Sequence, residues 1–175
     1  MLRLPSLISE FPLCFSGDPA LDLPIVPELA DGASEEVVKE RNAALEEKTR
    51  KLRVARETGR WDQITKSGQT PTIFRFIPVH GTKLTWMQGE RVRRNLDWQE
   101  GLELAFRIAI KEIDNIGKLE LAFEIIDGQR LLKRECLDQL YDIGRDAGNP
   151  NLGRAVVLEL GGFVVERAYQ GVPPK

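Results

Sequence analysis

At 175 residues the chain is long enough for one domain with a real core. Its 25 basic and 27 acidic residues leave a net charge of −2, so no global field draws it to nucleic acid, a membrane surface or an acidic substrate. The two cysteines, Cys14 and Cys136, stand far apart, which excludes a disulfide framework and suits an intracellular protein.

Residues 1–33 read as an extended arm. Pro5, Pro12, Pro19, Pro24 and Pro27 each remove a backbone donor and stop helix. Yet Leu7, Phe11, Phe15, Leu21, Leu23 and Ile25 make the segment apolar. Such an arm is expected to lie against the body or a neighbour rather than in solvent. Pro5, Glu10 and Pro12 also interrupt any signal-peptide core. No run approaches the ~18 apolar residues of a membrane span.

Residues 34–58 predict a long charged helix. Ser34 is placed to cap it, acids fill its first half and bases its second, as the helix dipole favours. Glu35–Lys39, Glu46–Arg50 and Glu47–Lys51 have the favourable i,i+4 order, each contributing about 0.2–0.5 kcal/mol. Val38, Leu45 and Leu52 recur every seventh residue. That stripe is narrow, nearer a coiled-coil seam than a core face. Thr58-Gly59 ends the helix.

TIFRFIPV at 72–79 is rich in β-branched and aromatic residues, and KLTWMQ at 83–88 follows a short His80-Gly81-Thr82 turn. The pair predicts a hairpin, with Pro78 placing its strand at an edge or at its end. Asp97 to Ile116 predicts an amphipathic helix, with a capping box from Asp97 and Glu100 and an apolar face of Leu102, Phe106, Ala109, Ile110 and Ile113. Gly117 would stop it.

Residues 118–126 alternate as a strand, followed by an Asp127-Gly128 turn and a helix over about 132–143. Asn149-Pro150 opens a last helix. Gly161-Gly162 interrupts that helix, so either it bends there or another backbone packs close. Residues 171–175 are a tail. The elements predict an α+β fold: helices on a small antiparallel sheet, with a single domain over 34–170 and the arm before it. The expected core includes Phe74, Phe76, Trp86, Leu102, Phe106, Ile110, Ile113, Leu121, Phe123, Leu137, Leu140, Val156, Leu160 and Phe163.

Catalytic chemistry has little to stand on. His80 is the one histidine, beside a glycine at a turn. With two distant cysteines it does not make a zinc ligand set, and no cofactor or metal is expected. GDPALD lacks the lysine and the helix of a P-loop, and DIGRDAGNPNLG follows a helix rather than a strand. Arg91, Arg93 and Arg94, between Trp86 and Trp98, form the one local cluster that could meet phosphates and bases. Glu90, Asp97 and Glu100 oppose that reading and keep it second.

In order, the chain carries SGDPALD, a charged helix, GQTPTIFRFIPV, QEGLELAFRIAIKEID and NLGRAVVLELGGFVVERA. Over residues 17–170 this spaced pattern resembles small tailed-bacteriophage proteins encoded among virion assembly genes, including tail-assembly-chaperone-like proteins. The resemblance implies a non-enzymatic role: binding tail or head subunits in the host cytoplasm during assembly, or remaining as a minor part of the virion. The expected contacts with protein subunits, or with another copy, run through Val38, Leu45 and Leu52 of the charged helix and Phe11 and Phe15 of the arm.

Overall fold

The computed structural model describes residues 10–116, 119–146 and 152–170. The fold is α+β, with helices and small antiparallel sheets, as the sequence predicts. It divides into two compact units. One combines the chain up to Phe15 with the chain from Ile73 onward; the other is Ser16–Thr72. This division falls elsewhere than the expected boundary at 33/34.

In the first unit, β1 (Phe11–Leu13), β2 (Ile73–Phe76) and β3 (Ile110–Asp114) make an antiparallel sheet in the order β1-β2-β3. Phe11 pairs with Phe76 and Leu13 with Phe74 across the first ladder. A register shift between Arg75 and Phe76 irregularises the second. Phe74 and Phe76 share one face, as their spacing predicts, and both are buried. Phe106 meets them edge-on, with centroids 6.1 and 5.4 Å away. Phe11 stacks on Phe76 at 5.8 Å, and the Arg167 guanidinium lies over the Phe11 ring, 4.5 Å from its centroid. Only 4% of Phe11 is exposed, which corrects its assignment as a partner-binding residue. It closes the sheet's own core.

The expected hairpin is absent. Beyond β2 the chain enters α2 (Gly81–Arg93), with Gly81 at φ +54°. Leu84 and Met87 are buried at helical spacing, and the partners of β2 come from β1 and β3 instead. Trp86, expected in the core on a strand, is half-buried on this helix. The strand does end before Pro78, but β2 is central rather than an edge.

The capping box of Asp97 and Glu100 starts α3 (Trp98–Ala109). The helix stops earlier than its apolar periodicity predicts. Ile110 turns extended, at φ −61° and ψ 133°, and IKEID completes the sheet. Isoleucine suits both states, and the unpaired edge of β2 decides between them.

β4 (Phe123–Ile126) and β5 (Gln129–Leu132) form a separate hairpin across Asp127-Gly128, whose φ values of +49° and +77° make a turn with two left-handed residues. β5 was not expected; the helix that follows is α4 (Arg134–Asp146). Among the expected core, Ile113, Leu121, Phe123, Val156 and Phe163 are half-buried, while Leu102, Leu137, Leu140 and Leu160 are buried. Gly117, Asn149, Pro150 and the 171–175 tail lie outside the described residues.

α5 (Leu152–Gln170) packs on α3 and α4 at two glycines. A Cβ on Gly161 would stand 2.3 Å from the Leu102 carbonyl oxygen, and one on Gly153 would stand 2.1 Å from that of Leu140. Of the two readings of Gly161, close backbone packing is the one observed.

The second unit is organised by α1 (Glu35–Thr58). The Ser34 hydroxyl accepts from the Val37 N–H, and Gly59 closes the helix at φ +70°. Glu47 pairs in fork geometry with Arg50, both bonds 2.7 Å, rather than with Lys51 as the i,i+4 pattern predicts. Lys51 instead donates to the Asp22 carbonyl at 3.2 Å. Leu52 and Ala55 are buried near the turn Trp61–Ile64, whose Trp61 and Ile64 are buried too. The proline-rich segment is tied in by hydrogen bonds from Asp22 N–H to Ile64 O and from Lys66 N–H to Ala20 O, each 2.8 Å. No helix among the described residues is long and apolar enough to cross a membrane.

Candidate functional site

Of the five residues expected to bind a partner, Leu52 is buried, at 6% exposed, and Phe11 closes the sheet. Val38 and Phe15 are half-buried. Leu45, at 43%, is the one left well exposed, together with Val37 and Val54 on the same helix. The sevenfold repeat therefore does not act as a seam. Its last member belongs to the helix's packing within its own unit.

The arginine triplet also separates. Arg93 forms an ion pair with Glu90 at 2.6 Å, and that glutamate is buried. Arg91 lies over the Trp98 ring, its guanidinium carbon 5.7 Å from the centroid. Arg94 lines a different recess. The three arginines thus have three surroundings and do not present one phosphate-binding row. His80 is exposed at the start of α2 and makes no side-chain cap.

What the fold assembles instead is a groove in the first unit. α2 reverses into α3 through a tight turn: Arg94 N–H bonds Glu90 O, Asn95 N–H bonds Val92 O and Leu96 N–H bonds Arg91 O, at 3.0–3.1 Å. Asn95 takes φ +49°, a conformation asparagine tolerates better than most residues. This turn sets Trp98 beside Arg91. The Arg91 side chain also passes Gly101, where a Cβ would lie in ordinary contact, 3.4 Å from its Nε.

The resulting groove has a volume of about 430 Å³ and is walled by Met87, Val92, Leu96, Trp98, Leu102, Leu104, Val165 and Tyr169. The Gln88 amide donates to the Tyr169 hydroxyl at 3.0 Å, joining α2 to α5. Three large side chains of this groove are strongly exposed: Val92 at 81%, Trp98 at 60% and Tyr169 at 46%. Single exposed apolar residues are ordinary, but these lie together around one concavity. Among the described residues that line it, Arg91 is the one that carries a charge.

Leu96 and Leu104 are shared with a second recess of about 210 Å³, lined also by Arg94, Glu100, Glu103, Arg107, Arg134 and Arg154. Its carboxylates are committed. Glu100 holds the α3 cap, while buried Glu103 accepts from Arg134 at 2.9 Å and from the Tyr141 hydroxyl at 2.6 Å. Burial and the Glu103 carboxylate raise the Tyr141 phenol above its ordinary pKa, keeping it a donor. Arg107 spans from Leu132 O, at 2.8 Å, to Glu124, at 2.7 Å. Burial lowers its pKa and Glu124 offsets that. Arg154 donates to Gln99 at 2.6 Å. Among the described residues no cluster of histidine, cysteine, aspartate and glutamate is arranged to hold a metal ion.

The groove was not legible in sequence because its walls come from three helices and a turn. The exposed Trp98 was its one local signal, and its place in the first turn of an amphipathic helix made it look like core. No protein-family model matches the chain, and no curated protein or solved structure is significantly similar to it.

Proposed function

We propose that the protein is a non-enzymatic assembly factor that binds other protein subunits. The setting is the one its sequence pattern resembles, the morphogenesis of a tailed bacteriophage. The observation that supports a binding role is the groove between α2, α3 and α5, where Val92, Trp98 and Tyr169 are exposed around one apolar concavity. Protein interfaces centre on such aromatic anchors set in a recess. The contact surface proposed is therefore this groove. Val37 and Leu45 of α1 are exposed as well and are the remaining candidates for a contact on that helix.

The test is co-expression of the full chain with head and tail subunits of tailed bacteriophages, followed by co-purification and molar-mass measurement by light scattering. A defined complex that Val92→Asp with Trp98→Ala abolishes, while circular dichroism of the variant stays unchanged, is the expected result. A chain that forms no complex with any such subunit, and stays monomeric alone, would sink the proposal.

A further inference from the structure

The charges around the groove say what kind of segment it accepts. On its rim and in the adjoining recess, Arg91, Arg94 and Arg154 have no carboxylate ion pair among the described residues; Arg91 faces Trp98, and Arg154 bonds only the neutral Gln99. Of the nearby acids, Glu90 is paired with Arg93 and Glu103 with Arg134 and the Tyr141 hydroxyl, while Asp97 and Glu100 bind backbone N–H groups at the α3 cap and keep their charge. Among the described residues, the linings of the groove and the recess together thus carry more guanidinium groups than carboxylates.

We propose that the groove receives one face of an acidic amphipathic helix from another protein. The apolar residues of that helix, at i, i+3 or i+4 and i+7, would lie against Val92, Trp98 and Tyr169. Its flanking glutamates or aspartates would meet Arg91 at the groove and Arg94 and Arg154 in the adjoining recess. Guanidinium and carboxylate match in fork geometry, and the exposed rim makes the pairing a matter of selectivity and salt dependence. An extended nucleic-acid backbone fits less well, because the arginines border an apolar trough instead of forming a continuous cationic stripe. This inference rests on the protein-binding reading above and names the partner's chemistry.

The probes are two labelled designed peptides. One carries leucine on a single helical face with glutamate on both flanks; its twin has lysine for every glutamate. Fluorescence anisotropy with the full chain should show the acidic peptide binding at least about tenfold tighter at low salt, the margin shrinking as salt rises. Arg91→Glu with Arg94→Glu and Arg154→Glu should reverse the preference. Val92→Asp should weaken both peptides, with thermal unfolding confirming that each variant is folded.

Equal binding of the twins, blocked by Val92→Asp, overturns the acidic-helix proposal and leaves the groove as a protein site. Binding of neither peptide also overturns it, while a subunit complex lost in the groove variants still upholds the assembly reading. A dimer of the chain that Val92→Asp dissociates would make a second copy the occupant and end the proposal. Tighter binding of single-stranded DNA than of the acidic peptide would do the same.

Discussion

The two units are held by different means. In the first, Phe11, Phe74, Phe76 and Phe106 interlock, and α5 closes so tightly on α3 and α4 that two of its positions admit no side chain. In the second, a 24-residue helix buries only Leu52 and Ala55, and the unit adds a small apolar cluster of Ala20, Leu21, Trp61 and Ile64 with backbone and side-chain hydrogen bonds. The comparison shows where each unit has freedom to change. A core of interlocked rings responds to any change in volume, whereas a helix supported by caps and charge order tolerates substitutions along most of its length.

The largest effect should come from Phe106→Ala, which removes the ring common to two aromatic pairs. A loss of about 3–5 kcal/mol, measured by urea unfolding, is expected. A loss below 1 kcal/mol would mean that the ring cluster does not hold the first unit. Leu52→Ala should cost about 2 kcal/mol. Amide hydrogen exchange should localise that loss to residues 16–72, and protection lost equally in the first unit would blur the distinction between the two.

Gly161→Ala follows. Its methyl would enter the space of the Leu102 carbonyl, and the forced separation of α3 and α5 should cost about 1–3 kcal/mol. Gly162→Ala, with nothing within 4 Å of its new methyl, is the control, expected to be neutral or stabilising. Leu45→Glu should change stability by no more than about 0.5 kcal/mol, since this side chain is exposed; a larger loss would show hidden packing on α1.

The smallest effect concerns pH. Lys111, by hydrogen bond and charge, and then Arg75 hold the Glu10 carboxyl below its ordinary range on the open face of the sheet. A carboxylate depressed in the folded state contributes stability that is present above its unfolded pKa and fades as pH falls through the folded value. Glu10→Gln should therefore lower stability slightly at neutral pH and converge with the parent as pH falls, which flattens the acid side of the profile. A variant whose profile differs only above neutrality would contradict this.

Features set by neighbours in sequence were legible. Ser34 and Gly59 bound α1, Asp97 and Glu100 make the capping box, and Asp127-Gly128 makes the turn. Features set by distant partners were not. Ile110–Asp114 has a composition that serves helix or strand, and only the edge left open by β2 makes it a strand. KLTWMQ resembles a returning strand until the continuation GERVR and the burial of Leu84 and Met87 make it a helix. The groove shares this dependence, since Val92, Trp98 and Tyr169 meet only once three helices are in place. Leu52 taught the opposite lesson. A regular spacing suggested a seam, but spacing alone does not say whether the neighbour belongs to the same chain.

The carboxylate of Asp18 accepts from the Ala20 N–H with one oxygen and from the Thr72 N–H with the other, each at 2.8 Å. It thereby fastens the beginning of the second unit to its end, just outside the pair Leu13–Phe74. In topological terms, residues 16–72 are a cassette spliced into one hairpin of the sheet. The chain departs and returns at adjacent points, so the register of β1 and β2 does not depend on the cassette's length. Loop-closure entropy changes only slowly with such a length. The cassette could therefore be trimmed, enlarged or exchanged for a short turn while β1 and β2 keep their pairing.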